Sequence, residues 1–299
     1  MQQRLTVRAG DGRSLDVLVT GQPDGLPVVY HHGTPGGVAV YQPMIAAAAD
    51  RGLRVVLYGR PGYGSSTPQS GRRVADAATD VAAILDALGA GQFVTVGWSG
   101  GGPHALACAR LQADRCLAAA TLAAVAPYSA DGLEWLAGMA DDNVKESGAA
   151  LAGEQDLTAI LEAVAPLLAD ISGDQLAEGI GDLASAADKA ALQGELAEWV
   201  AAMFRAGLQG GIAGWRDDDL AFTRDWGFAV AAAGSTTPVS VWQGDQDWMI
   251  PFAHGEWLAK VLPAARSHMV PGVGHMNLPF GAVFDELLEL AGRSRLPCE

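Results

Sequence analysis

A short glycine-rich motif, G-W-S-G-G at residues 97–101, constrains this chain more than any other feature. The residues before it, 92–96, are β-branched and aromatic, and residues 103–111 after it have the pattern of a helix. Ser99 is therefore predicted at a sharp turn from a strand into a helix. Glycines beside such a serine permit a strained backbone and place the hydroxyl near a helix N-terminus. The motif predicts a nucleophilic serine, although a chain with 38 glycines can form the same pattern as an ordinary turn.

Two later segments supply the partners that a nucleophilic serine needs. Residues 238–247 form a strand-like run that ends in carboxylates at Asp245 and Asp247, which places an acid at the carboxyl edge of a strand. Residues 270–275 place His275 in a glycine-rich loop after the last predicted strand. Serine, acid and histidine thus follow one another in an order that supports serine hydrolysis in one class of α/β folds.

The segment at residues 28–37, V-V-Y-H-H-G-T-P-G-G, is an apolar strand that runs into a loop of small residues. Such a loop can offer a backbone N–H to a developing oxyanion, and Thr34 is the predicted donor. His31, His32 and His104 flank these motifs. They are predicted to be buried and hydrogen-bonded to the backbone, with contact to substrate as the alternative.

Strand and helix patterns alternate along the first 127 residues. Residues 5–8 and 15–20 predict an antiparallel hairpin around Asp11-Gly12. Continuous apolar runs further on are typical of parallel strands that are buried on both faces; they lie at residues 28–30, 55–58, 93–96 and 117–124. Helices are predicted at residues 39–49, 74–88, 103–111, 131–145, 157–169 and 190–206. This alternation indicates an α/β architecture.

Residues 128–236 contain no convincing strand and are rich in alanine, leucine and acidic residues at helical spacing. We therefore predict a core domain from residues 1–127 and 237–299 and an inserted helical cap from residues 128–236. The cap is expected to lie over the functional site.

With these motifs in place, the chain resembles the α/β-hydrolase superfamily over nearly its whole length. The matching segments are H-G-T-P-G-G at 32–37, Y-G-R-P-G-Y-G-S-S at 58–66, G-W-S-G-G at 97–101, G-D-Q-D-W-M-I-P at 244–251 and G-H-M at 274–276. The resemblance implies the α/β-hydrolase fold, with a mostly parallel twisted sheet flanked by helices. It points to the serine hydrolases of that superfamily, in an esterase or proline iminopeptidase-like branch.

The resemblance also implies roles for five residues. Ser99 would be the nucleophile, His275 the general base and Asp247 the acid that orients the histidine; the family's spacing selects Asp247 over Asp245. The backbone N–H groups of Thr34 and Gly100 would form the oxyanion hole, where each donor is worth about 3 kcal/mol. Carboxylic ester cleavage through an acyl-enzyme is the leading prediction, and no cofactor or metal is expected.

Composition and charge limit the kinds of molecule that this chain is expected to bind. The formal net charge of −15 argues against nucleic acid and anionic membranes, and no apolar run is long enough to span a membrane. No signal peptide is evident at the N-terminus. Cys108, Cys116 and Cys298 form an odd set without metal-ligand spacing, which favours a reducing cytoplasmic location. A small ester-like molecule is the expected partner, and the chain is expected to be a monomer or homodimer.

The predicted cap contains an apolar stripe that includes Trp199 and Met203. Such a stripe is usually core, but it can also face a substrate. Trp98, Trp199, Met203 and Met276 are therefore candidate substrate-binding residues. Other aromatic candidates for a pocket are Trp135, Trp215, Phe222, Trp226 and Phe228.

Three consecutive acids, Asp217, Asp218 and Asp219, precede Leu220. We interpret them as the N-terminal cap of a helix that begins at Leu220, where carboxylates favour the helix dipole. Contact of one buried Asp with the core and a metal site are the alternatives.

Several substrate classes stay open. A serine nucleophile argues against epoxide and haloalkane chemistry, which uses aspartate in this superfamily, and the cap offers only Tyr128 where epoxide opening needs two tyrosines. The loop at residues 32–37 is similar to that of proline iminopeptidases, but those have Trp after the nucleophile, whereas here Trp98 precedes it. Glu134 or Glu146 could nevertheless hold a substrate amine. Peptidase, lactonase and carbon–carbon hydrolase activities remain alternatives, as does a binding protein without catalysis.

Overall fold

An eight-stranded sheet forms the centre of the computed structural model, which describes residues 2–293. The strands in chain order are β1 Gln2–Arg8, β2 Ser14–Gly21, β3 Leu26–His31, β4 Leu53–Tyr58, β5 Phe93–Trp98, β6 Cys116–Leu122, β7 Val239–Gly244 and β8 Arg266–Val270. Their order across the sheet is β1-β2-β4-β3-β5-β6-β7-β8. The first two pairs, β1 with β2 and β2 with β4, are antiparallel, and the other pairs are parallel. The predicted hairpin and α/β class are confirmed.

Eleven α-helices accompany the sheet in residues 2–293. They are α1 Gln42–Ala49, α2 Asp76–Ala87, α3 Gly102–Leu111, α4 Asp141–Ala152, α5 Glu154–Ala169, α6 Gly173–Gly179, α7 Ala186–Ala191, α8 Gly194–Leu208, α9 Ala213–Phe222, α10 Phe252–Val261 and α11 Phe280–Leu290. Short 3₁₀ helices occur at Ser99–Gly101, Gly181–Leu183 and Val230–Ser235. Within this part of the chain, no helix is both long and apolar enough to cross a membrane.

Both faces of the parallel strands are buried, as their continuous apolar sequences require. Val28 and Val94 pack on one face, in the cluster that also holds residues of α1 and α11. Their chain neighbours Val29 and Phe93 pack on the other face with residues of α2. Successive side chains of a strand point to opposite faces, so helices must cover both sides of the sheet.

The chain between β6 and β7 forms α4 to α9 and contains no strand, all of it within the described residues. We call residues 128–236 the insert. Its helices pack on one another and contribute a small core of their own around Leu157 and Leu161. The helix predicted at residues 131–145 is wrong, because Gly132 and Gly138 adopt positive φ and turn the chain before α4 begins.

Cys108 and Cys116 are free and buried in the core, and Cys298 lies outside the described residues.

Candidate active site

Ser99 sits at a tight turn where β5 ends and a short 3₁₀ helix leads into α3. Its φ is +56°, a conformation that is rare for a residue with a side chain. The turn is possible because its neighbours are glycines: a Cβ at Gly97 would lie 2.2 Å from the Gly101 carbonyl oxygen, and one at Gly101 would lie 2.1 Å from that of His31. The side chain of Ser99 lines a cavity, as the motif predicts for a nucleophile.

His275 and Asp247 form a buried pair at the carboxyl ends of β8 and β7. His275 Nδ1 lies 2.8 Å from Asp247 Oδ2. The other carboxylate oxygen, Oδ1, accepts the backbone N–H groups of Met249 at 2.9 Å and Ile250 at 2.8 Å. Because the carboxylate accepts, Nδ1 carries the proton and Nε2 is left with its lone pair.

Two opposing effects set the pKa of His275. Burial disfavours the charged imidazolium, but the charge of Asp247 and its hydrogen bond outweigh burial and raise the pKa. Asp188 also acts in the raising direction. An imidazole with a carboxylate behind its Nδ1 is suited to act as a general base through Nε2.

Trp98 brings the serine and the histidine next to each other. It directly precedes Ser99, and its Nε1 donates to the His275 carbonyl oxygen at 3.1 Å. The centroids of the two rings are 5.4 Å apart. Within residues 2–293, Ser99 Oγ makes no hydrogen bond to His275; such contacts often tighten only when substrate binds.

Thr34 and Gly100 also meet beside Ser99. A Cβ at Gly100 would lie 2.4 Å from Thr34 Oγ1, and one at Gly33 would lie 3.5 Å from Ser99 Cβ. The backbone N–H of Thr34 donates to no group among the described residues, so it is free to bind a substrate oxygen. The five residues implied by the family resemblance therefore converge on one place.

A buried ionic cluster lies behind this loop. Asp218 of α9 is 0% exposed and accepts hydrogen bonds from Thr34 Oγ1 at 2.8 Å, Arg60 Nη2 at 2.6 Å, Tyr63 OH at 2.8 Å and Arg72 Nη1 at 2.5 Å. We call these five residues the arginine cluster. Burial opposes the charge of Asp218, but the two guanidinium groups hold its pKa well below the usual range.

Asp217, Asp218 and Asp219 are thus not an N-terminal cap, and that interpretation is wrong. Helix α9 begins at Ala213, four residues earlier, so the three acids lie in its middle and are buried. The contact of one Asp with the core, noted as an alternative, is the arrangement that Asp218 adopts.

A cavity of about 610 Å³ opens over Ser99. The insert and the core loops line it mainly with apolar side chains, including Val125, Ile160, Leu168, Leu176, Ile180, Phe204 and Met249. Thr34 and Gly100 are at its base, and Phe222 of α9 lies against Gly100, with its Cζ 3.0 Å from a Cβ placed there. An apolar cavity with few polar groups suits a small organic ligand.

Three acidic residues line this cavity: Asp142, Glu146 and Asp219. The carboxyl groups of Asp219 on α9 and Glu146 on α4 interact with each other, and we call these two residues the carboxyl pair. Burial raises the pKa of both; the neighbouring carboxyl raises that of Asp219 further, well above the usual range. Trp215 Nε1 donates to Glu146 Oε1 at 2.7 Å, and no donor among the described residues reaches Asp219 Oδ2.

The candidate substrate-binding residues divide into two groups. Met276 lines the cavity, as do Trp135, Trp215 and Phe222. Trp98, Trp199 and Met203 do not line it among the described residues, and neither do Trp226 and Phe228. The described cavity does not bear out their prediction as pocket residues: Trp98, Trp199, Met203 and Trp226 are buried in the hydrophobic core, and Phe228 is partly buried against it.

The contacts of Trp199 explain why it does not face the cavity, although Val200 and Phe204 of the same apolar stripe line it. Its ring stacks on Tyr41 and Trp98, with centroids 4.7 and 5.9 Å away, and its Nε1 donates to the Ala39 carbonyl oxygen at 3.1 Å. These contacts fix α8 on the core and leave no face of the ring for a ligand.

The three histidines near the motifs are buried, as predicted. His31 lies 3.0 Å from the Tyr58 hydroxyl, and His32 Nδ1 contacts the Gly33 carbonyl oxygen at 2.7 Å. His104 Nδ1 donates to the Gly100 carbonyl oxygen at 2.9 Å. Burial and the charge of Arg60 keep the pKa of His104 well below its usual range, so the ring is neutral.

A family model described as the alpha/beta hydrolase fold matches residues 27–282, and the chain belongs to that family. A non-heme chloroperoxidase of Streptomyces lividans is 36% identical over 124 residues, which are 41% of this chain and 45% of that protein. Epoxide hydrolase B of Mycobacterium tuberculosis is 33% identical over 132 residues, 42% of this chain and 36% of that protein. The matches thus span less than half the length of these relatives.

The fold of a solved hydrolase from Pseudomonas aeruginosa PA01 is similar over almost the whole chain. The TM-score is 0.67 at 21% identity, with 97% of this chain and 98% of that chain covered. At 21% identity, this structural similarity supports a shared fold only.

Proposed function

We propose that the protein is a serine hydrolase that cleaves carboxylic esters of small to medium size without a cofactor. The observation that carries the proposal is that a strained Ser99 and the free N–H of Thr34 line one cavity, while Trp98 links Ser99 to the buried His275–Asp247 pair behind it. Each group suits one task of acyl transfer.

In the proposed mechanism, Ser99 Oγ attacks the ester carbonyl while His275 Nε2 takes its proton. Asp247 stabilises the imidazolium, and the N–H groups of Thr34 and Gly100 bind the oxyanion. The imidazolium then protonates the leaving alcohol, which departs and leaves an acyl group on Ser99. Water attacks this ester in turn, with His275 again as base, and releases the acid and the free serine.

The insert would act as a cap that holds the non-reacting part of the substrate. Its helices supply most of the apolar lining, so we expect aliphatic or aromatic acyl and alcohol groups to be preferred over charged ones.

Epoxide hydrolysis is disfavoured by the residues at the site. Ser99 stands at the nucleophile position, and Tyr128, the single tyrosine of the insert, is 42% exposed and does not line the cavity. No pair of tyrosine hydroxyls is therefore available to protonate an epoxide oxygen in the described cavity.

A fluorophosphonate probe and a series of p-nitrophenyl esters would test the proposal. We expect the probe to label Ser99 in the wild type, and Ser99→Ala and His275→Ala each to lower ester turnover at least about 10⁴-fold. Ser65→Ala, at a serine outside the cavity lining, is the matched control and should keep full activity. Ester turnover near the wild-type rate in Ser99→Ala would refute the assignment.

A second candidate, hydrolysis of esters or amides that carry an amine, is favoured by the carboxyl pair. Asp219 lines the cavity and its buried Oδ2 has no donor among the described residues; an ammonium group of a substrate would supply one. Glu134, the other acid considered for this role, is exposed and does not line the cavity.

Matched substrates distinguish the two candidates. The p-nitrophenyl esters of 4-aminobutyrate and pentanoate have similar length but differ in charge. A kcat/KM that favours the amino ester, and that loses this preference in Glu146→Gln, would support the second candidate; a preference for pentanoate in both proteins would exclude it.

A further inference from the structure

Asp188 is a buried acid in the first turn of α7, within the insert. Its side chain is 0% exposed, and Ser185 caps the helix before it: the Ser185 hydroxyl donates to Asp188 Oδ2 at 2.9 Å and accepts the Asp188 N–H at 3.2 Å. An acid near a helix N-terminus normally serves the helix alone. The first-turn acids of α4, α5, α6 and α8 fit that role, since they are exposed.

The second oxygen of Asp188 leaves its own helix and reaches the loop that carries His275. Oδ1 accepts the backbone N–H of Met276 at 2.7 Å. The carboxylate also packs on Gly274, where a Cβ would lie only 2.3 Å from Oδ1. Asp188 therefore touches the residue before His275 and the residue after it.

This contact fixes the backbone on both sides of the imidazole. Asp247 holds the ring from the loop after β7, and Trp98 donates to the His275 carbonyl oxygen from the end of β5. Without Asp188, residues 274–276 would lose the one hydrogen bond that ties them to the insert among the described contacts. A loop displacement of about 1 Å can lower a rate by about 10²-fold.

Asp188 also contributes charge. The charged groups that act on His275 are Asp247 after β7 and Asp188 of α7, and both raise its pKa against the effect of burial. The imidazolium that forms during proton transfer is thus stabilised from two elements, one in the core and one in the insert.

We propose that Asp188 is a positioning residue for His275, through which the insert completes the catalytic apparatus of the core. The proposal rests on the function proposed above. It makes α7 a structural part of the site rather than a lid that can move independently of it.

The pH dependence of fluorophosphonate labelling tests this without knowledge of the natural substrate. In Asp188→Asn, the amide oxygen can still accept the Met276 N–H and the amide nitrogen can donate to Ser185, so geometry is kept and charge is lost. The His275 pKa should then fall, and the acid limb of the labelling rate should move to lower pH. Asp188→Ala also loses the hydrogen bond, so we expect its maximal labelling rate to fall at least tenfold.

A suitable control is Ser172→Ala, which removes the N-cap of the neighbouring helix α6 without contact to the histidine loop. This variant should keep the acid limb of the wild-type pH profile and the wild-type maximal labelling rate. If Asp188→Ala does not fold, the Asp188→Asn profile decides the matter. An acid limb in Asp188→Asn that coincides with that of the wild type would overturn the proposal, whereas a wild type that is not labelled at Ser99 would instead overturn the proposed function.

Discussion

Asp218 and Asp219 are neighbours on one helix, yet they belong to two regions with opposite electrostatics. Asp218 lies in the arginine cluster, where two guanidinium groups hold its pKa well below the usual range despite complete burial. Asp219 lies in the carboxyl pair, where burial and Glu146 raise its pKa well above that range. Burial opposes charge at both positions, so the partner decides which form the carboxyl takes.

This difference in pKa distinguishes a cluster that holds the structure together from a pair of acids that line the cavity. In the arginine cluster both carboxylate oxygens of Asp218 are hydrogen-bonded: Asp218 accepts from Thr34, Arg60, Tyr63 and Arg72 and ties α9 to the loop of Thr34. The carboxyl pair has an oxygen without a donor at the cavity wall. A satisfied buried charge network specifies geometry, whereas an unsatisfied group is available to a ligand.

The largest effect that would sharpen this comparison is the loss of the charge in the arginine cluster. Asp218→Ala leaves Arg60 and Arg72 buried without a carboxylate, and we expect the free energy of unfolding to fall by about 3–5 kcal/mol. Asp219→Ala is the matched variant one residue away and should cost far less, since it removes an acid that burial already disfavours. Urea unfolding at pH 7 measures both. Equal losses in the free energy of unfolding for the two variants would contradict the distinction between the arginine cluster and the carboxyl pair.

Thr34→Val is expected to have an intermediate effect. Valine has nearly the same shape but lacks the hydroxyl that donates to Asp218 at 2.8 Å and accepts from Arg60 Nη2 at 3.0 Å. Leaving these buried groups short of a partner should cost about 1–3 kcal/mol and should slow fluorophosphonate labelling of Ser99. Thr34→Ser keeps the hydroxyl and should restore both stability and labelling. A Thr34→Val protein as stable as Thr34→Ser would show that the hydroxyl is dispensable.

The smallest effect concerns the dependence of stability on pH. Because the pKa of Asp219 is raised, its contribution to the free energy of unfolding is fully present below its unfolded pKa of about 4. This contribution is lost as pH rises through the folded pKa. Asp218 behaves in the opposite way: its contribution is present above about 4 and is lost as pH falls through its lowered pKa.

Asp219→Asn should therefore flatten the decline in stability on the high-pH side, by an amount on the order of 1 kcal/mol. Thermal unfolding from pH 4 to pH 8 at constant ionic strength would show it, with Asp225→Asn, at an exposed acid, as the control. A wild-type profile in Asp219→Asn would contradict a raised pKa at Asp219.

Much of the fold could be predicted because its signals are local. The buried parallel strands are continuous apolar runs, and G-W-S-G-G at residues 97–101 needs only its own glycines to form the turn at Ser99. The positions of Asp247 and His275 follow from the rule that the carboxyl ends of parallel strands meet at one edge. These three residues meet at the edge where the sequence predicts them to meet.

The contacts that the sequence did not predict join residues that are far apart in the chain. Three acids in a row look alike in sequence, but Asp218 meets Arg60 across 158 residues and Thr34 across 184. Asp188 meets Met276 across 88 residues. No local pattern distinguishes these acids from an ordinary helix cap. The apolar stripe of α8 was ambiguous for a related reason. Its spacing gives the buried face, but not that Trp199 packs on core rings whereas Val200 and Phe204 line the cavity.

Two buried carboxylates of the insert, Asp188 and Asp218, accept hydrogen bonds from core loops, and this has a consequence for protein engineering. A chimera that replaces residues 128–236 with the corresponding segment of a relative, in order to transfer substrate preference, would also remove the acids that hold Thr34 and Met276. Such a graft must therefore reproduce an acceptor at both positions before any change of specificity can be measured. Point substitutions in the cavity wall are the sounder route to new specificity in this scaffold.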